Sequence, residues 1–88
     1  MMRVQVIVMC APHPREEVEA TLRAAGRELA LTADSVSVRM DPTEPRNAVL
    51  EFEMRRAAQR KMVDDVFRTV KSWAWAFYED ITVRFPKS

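Results

Sequence analysis

The sequence predicts an α+β sandwich built in the order β-α-β-β-α-β. Three observations predict it: apolar residues alternate with polar ones in four short segments, two longer segments carry apolar residues at helical spacing, and prolines or polar runs punctuate them. With 88 residues there is room for one core, so a single domain over 1–88 is expected.

From Arg3 to Cys10, Val4, Val6, Val8 and Cys10 alternate with Gln5, Ile7 and Met9, and the β-branched content predicts a first strand with two unequal faces. Pro12 and Pro14 end it. Pro14 suits a helix start, and Glu16, Glu17 and Glu19 put negative charge where a helix N-terminus favours it. The first helix then presents Val18, Leu22, Ala25 and Leu29 as an apolar stripe, with Gly26 beside it where the helix either nears a sheet or begins to end. Val36, Val38 and Met40 alternate with Ser35, Ser37 and Arg39 in a second strand, and the run from Asp41 to Asn47, with two prolines, predicts a turn. Ala48, Leu50, Phe52 and Met54 form the returning strand of a hairpin.

Beyond Arg55 the period changes. Met62, Val63, Val66, Val70, Trp73 and Phe77 recur at helical spacing, which predicts a second helix from about Arg56 to Phe77. Ile81, Val83 and Phe85 alternate in a last strand before Pro86. One hairpin and two right-handed crossovers then give a ferredoxin-like plan, with strand order 4-1-3-2 and both helices on one face. The plan serves many functions and assigns none.

Composition narrows the classes. An apolar fraction of 48% lies well above the disordered regime, and 14 basic against 13 acidic residues give a net charge of +1, which excludes a general polyanion-binding field. No apolar run approaches the length of a membrane span, about 18 residues, so no membrane partner is expected. A lone cysteine, Cys10, forms no internal disulfide and fits a reducing cytoplasm.

The topology brings charges together at two ends. At one end meet the strand-one exit with His13, the helix-one N-terminus with Arg15, and the proline hairpin with Arg46; free helix amides there make an anion site conceivable. His13 itself has no visible orienting partner. At the other end Arg3, Arg55, Arg56, Arg60 and Lys87 form an arginine-rich patch suited to an anion or nucleic acid.

Known families of the plan serve as references. Cys10-Ala11-Pro12-His13 resembles, in position only, the Cys-x-x-Cys loop of heavy-metal-associated domains, but His13 replaces the second cysteine and strand parity turns Cys10 inward, so no metal is expected. Arg3-Val4-Gln5 and Val38-Arg39 resemble acylphosphatase, yet the segment that would be its phosphate loop, Ile7 to Cys10, has neither glycine nor arginine. An RNA-recognition motif stacks bases on sheet aromatics, whereas the outward face here carries none and has Glu51 and Glu53 near its centre.

That outward face does carry an apolar patch of Ile7, Met9 and Val49. Glu51 is placed to meet Arg39 and Arg84 of a second copy across a two-fold axis, and Trp75 is a further partner anchor. The resulting expectation is a cytoplasmic, non-enzymatic interaction or regulatory module, homodimeric through the sheet or bound to another protein, without catalytic residues or cofactor. A nucleic-acid-binding domain using the arginine-rich end and a small-anion-binding domain at the helix-one N-terminus are the alternatives.

Overall fold

Alternating residues become strands and helically spaced residues become helices in the order β1 (Met2–Cys10), α1 (Arg15–Leu29), a 3-10 turn (Ala33–Ser35), β2 (Ser37–Met40), β3 (Asn47–Met54), α2 (Gln59–Trp73) and β4 (Tyr78–Arg84). The computed structural model describes residues 1–56 and 58–86. Its sheet runs β2-β3-β1-β4 with every neighbouring pair antiparallel, which is the expected 4-1-3-2 order of a ferredoxin-like α+β fold. No helix is long and apolar enough to cross a membrane.

One parity of the strands makes the core. Val4, Val6 and Val8 of β1 and Leu50 of β3 are wholly buried, joined by Phe52 and Ile81, and Val18, Leu22, Ala25, Val66 and Val70 of the helices close over them. Such β-branched and aliphatic side chains fill the space between layers because each apolar surface removed from water stabilises the fold. Gly26 lies in the last turn of α1 without a positive φ, so its role is close approach. A Cβ there would come within 2.8 Å of both Leu50 Cδ1 and Val36 Cγ1.

Several element boundaries differ from the sequence expectation: α2 begins at Gln59 rather than about Arg56, and β4 at Tyr78 rather than Ile81. α2 stops at Trp73 rather than Phe77, and the Phe77 and Tyr78 amides both turn back to the Ala74 carbonyl, at 3.0 and 2.9 Å. β1 supplies the reason: Cys10 pairs with Tyr78, so the chain must leave the helix one turn early to complete that ladder. The buried stripe of α2 is therefore Met62, Val66, Val70 and Ala74, while Trp73 is turned outward and its Nε1 donates to Glu28 Oε2 at 3.0 Å. β2 is also shorter than expected, because Ser35 belongs to the 3-10 turn; its hydroxyl accepts the Glu53 amide at 3.2 Å in place of a ladder carbonyl. A further difference lies in the β1–β4 pairing, where Met9 pairs with Asp80 but Cys10 with Tyr78, so that Glu79 is an extra residue in β4 and Glu79 and Asp80 are both exposed.

Candidate functional site

The end of β1, the start of α1 and the β2–β3 hairpin enclose a cleft of about 560 Å³. Its apolar part is Cys10, Val18 and Met40 together with Pro12, Pro42 and Pro45, and His13, Arg15, Asp41 and Arg46 supply the polar groups. A mostly apolar cleft of this size with a few convergent polar groups is the usual form of a small-molecule site.

Local hydrogen bonding holds the walls. The Cys10 amide donates to the Arg46 carbonyl at 2.8 Å and the Ala11 amide to the Phe77 carbonyl at 2.7 Å, so the strand exit is tied to the hairpin on one side and to the end of the α2 segment on the other. In the hairpin, the Asp41 carboxylate accepts the Thr43 amide at 2.9 Å and the Thr43 hydroxyl at 2.8 Å. These bonds, the backbone one first, hold the Asp41 carboxyl below its ordinary pKa. Pro14 caps α1 with an extended backbone, and its carbonyl accepts the Glu17 and Val18 amides.

His13 has two partners. Its Nε2 lies 2.9 Å from Glu17 Oε2, and its ring rests on Phe77 with centroids 5.1 Å apart. The expectation that His13 lacks an orienting group is thus corrected: His13 and Glu17 stand four residues apart at the helix entry, a spacing that places side chains on one face. That signal was present in the sequence; the Phe77 contact, across 64 positions of chain, was not.

The same end disfavours the expected anion site. Arg15 Nε is 2.9 Å from Glu19 Oε1 and Arg46 is ion-paired with Glu79, so both arginines already have their own carboxylate, and His13 faces Glu17. An anion would have to displace one of them. Burial pushes the Cys10 thiol above its ordinary pKa, and its Sγ points back to the Val8 carbonyl at 3.5 Å, so it serves as wall rather than nucleophile. Among the described residues no group of three or more His, Cys, Asp or Glu is placed to hold a metal ion.

Elsewhere the sequence candidates separate. Arg3 and Arg56 share a second cavity at the opposite end, whereas Lys87 lies outside the described residues; Arg55 and Arg60 are exposed. Arg3, however, also belongs to the outward sheet face, where its Nη2 reaches Glu51 Oε2 at 2.6 Å. Arg39 Nη2 takes the other Glu51 oxygen at 3.0 Å and Gln5 donates to it at 3.1 Å. These donors, Arg3 first, hold the Glu51 carboxyl below its ordinary pKa. Glu51 and Arg39, expected to meet across a two-fold axis, therefore satisfy each other within one chain. Val49, expected as an exposed anchor, is only 3% exposed. Arg39 stands opposite Val49 in the register and reaches diagonally to Glu51, which lays its aliphatic stem beside Val49. Ile7 and Met9 remain half-buried, Arg84 is exposed opposite Gln5, and Trp75 is 77% exposed.

No family model matches the chain, and no curated protein matches it. Among solved structures it is similar to a Chloroflexus aurantiacus J-10-fl protein provisionally named an antibiotic biosynthesis monooxygenase, at 16% identity and a TM-score of 0.51, over 100% of this chain and 95% of the other. At that identity the likeness shows the fold. It nevertheless overturns the expected non-enzymatic module: a chain of the same fold and nearly the same extent carries an enzyme's name, so neither the fold nor the small size argues against catalysis. The expectation erred by treating the lack of a sequence motif as a lack of chemistry, although catalytic groups are assembled by the fold from distant positions.

Proposed function

We propose that this protein is a small enzyme whose substrate occupies the cleft beside His13 and gives up a proton to it. The observation that carries this reading is the His13–Glu17 contact at 2.9 Å on the wall of an otherwise apolar cleft. With a proton on Nε2 directed toward Glu17, Nδ1 keeps the lone pair a general base requires, and the carboxylate stabilises the imidazolium that forms. Because Arg15 and Arg46, the cations lining the cleft, are matched by Glu19 and Glu79, the reading favours a neutral organic molecule with an acidic C–H or O–H bond over an anion. The structural neighbour's name makes oxidation by molecular oxygen the first reaction to test, with a substrate methylene becoming a carbonyl: one oxygen atom enters the substrate and the other leaves as water with the two hydrogens of that methylene, so the substrate itself is the reductant.

The test is oxygen uptake and product mass with a panel of neutral molecules bearing such protons. Turnover is expected to fall about 100-fold or more in His13→Gln and by less in Glu17→Gln, with the fold intact by circular dichroism. Turnover by His13→Gln at the wild-type rate overturns the assignment.

Self-association through the outward sheet face is part of the same proposal, with the cytoplasm as its compartment. Its support is Ile7 and Met9, apolar side chains left half-buried on the sheet face that no helix covers.

A further inference from the structure

We infer a second binding site, at the end of the sandwich opposite His13, that takes an organic anion with an apolar body. The cavity there is about 660 Å³ and lies between the start of β1 and the segment that follows β4. Met1, Met2, Phe85 and Pro86 form its apolar walls, and Arg3, Glu53 and Arg56 are its charged groups.

Charge distinguishes this cavity from the first. In the His13 cleft Arg15 and Arg46 each have their own carboxylate. Here Arg3 is held by Glu51 and also feels the field of Glu53. Arg56 has no carboxylate partner among the described residues, and Arg55 beside it in sequence is exposed and likewise unpaired. A guanidinium with free N–H groups at the rim of an apolar cavity fits a carboxylate or sulfonate by a charge-assisted fork. The apolar walls supply the contact for the rest of the ligand, so a bare inorganic anion uses only half of the site. Glu53 adds negative charge to the same rim and selects a singly charged ligand over a doubly charged one.

The probe is 1-anilinonaphthalene-8-sulfonate, an aromatic sulfonate, titrated into the isotope-labelled chain and followed by amide shifts and dye fluorescence, with neutral N-phenyl-1-naphthylamine as its uncharged counterpart. The largest shifts are expected at Arg3, Glu53, Arg56 and Phe85. Arg56→Ala is expected to weaken sulfonate binding about tenfold or more and to leave the neutral dye unaffected, whereas Arg56→Lys keeps part of the affinity. Arg46→Ala, at the opposite end, is expected to change nothing. Arg56 is exposed, so these variants are expected to keep the fold, which unchanged amide dispersion checks. Shifts centred on His13, equal affinity for the two dyes, or an unchanged affinity in Arg56→Ala each overturn the site.

Discussion

The two faces of the sheet are made by the same strands and differ by one residue in parity, yet they solve opposite problems. On the inner face, Val4, Val6, Val8, Leu50 and Phe52 carry no polar atom beyond the backbone and are sealed by α1 and α2. On the outer face, Arg3, Gln5, Arg39 and Glu51 are knitted into one cluster and Ile7 and Met9 stay half-buried with no element above them. The inner face is closed by shape and the outer by charge. Stability should therefore reside on one side, and adaptable surface chemistry on the other.

The largest expected effect probes the closed side. Phe52 is 1% exposed in the centre of β3, and Phe52→Ala removes most of its buried surface and leaves a cavity. A loss of about 3–5 kcal/mol in urea denaturation is expected. A loss under about 1 kcal/mol would remove Phe52 from the core.

Gly26→Ala tests the same side more finely. Alanine is the better helix former by about 1 kcal/mol, so an exposed glycine would gain stability from the change. At Gly26 the new methyl meets Leu50 Cδ1 and Val36 Cγ1 at 2.8 Å. Leu50 is wholly buried and has little room to yield, so overpacking outweighs propensity and a net loss of about 1–2 kcal/mol is expected. A stabilised variant would show that α1 does not sit that close to the sheet.

How much of this was legible follows from what each feature depends on. Strand parity, the α1 stripe and the 4-1-3-2 order rest on periods of two and 3.6 residues and on handedness, which a sequence displays directly. The end of α2 does not. Trp73 is the more apolar side chain, but Ala74 stands four residues after Val70 and is the one wholly buried, a choice made by the sheet beneath it. In the cleft, His13 and Glu17 are near in sequence and the pair could have been read from spacing. Arg46 and Glu79 are 33 positions apart, and Glu79 is the extra residue that the β1–β4 pairing skips, an irregularity that no period in the sequence displays. The burial of Val49 is likewise absent from the periodicity: Arg39, opposite it on the neighbouring strand, is turned toward Glu51 by a hydrogen bond that only the register brings about.

On the outer face, Glu51→Gln is expected to have a smaller effect, and one that depends on pH. The Glu51 carboxyl is held below its ordinary value, so its contribution is fully present above the unfolded pKa of 4.5 and is lost as pH falls through the lower folded value. Arg3 and Arg39 are more than half exposed, which screens the attraction, so the loss at neutral pH should stay under about 1 kcal/mol. The difference between wild type and variant should shrink toward acid pH. A difference that grows below pH 4.5 would break the assignment of the cluster as the cause.

The smallest effect on stability, and the sharpest test of the outer face, is expected from Ile7→Lys. Ile7 sits in the central strand opposite Val49 and Thr82, with its side chain on the face that no helix covers. A lysine there can reach water in a single chain, so the folded monomer should lose about 0.5 kcal/mol or less. In a face-to-face dimer the same substitution buries an ammonium against its own symmetry mate, since an isologous contact repeats every change on both sides. The wild type is therefore expected to sediment as a dimer at high micromolar concentration and Ile7→Lys as a folded monomer. A wild-type monomer in that concentration range would break the proposed contact and leave Ile7 and Met9 as ordinary exposed apolar residues of an open sheet.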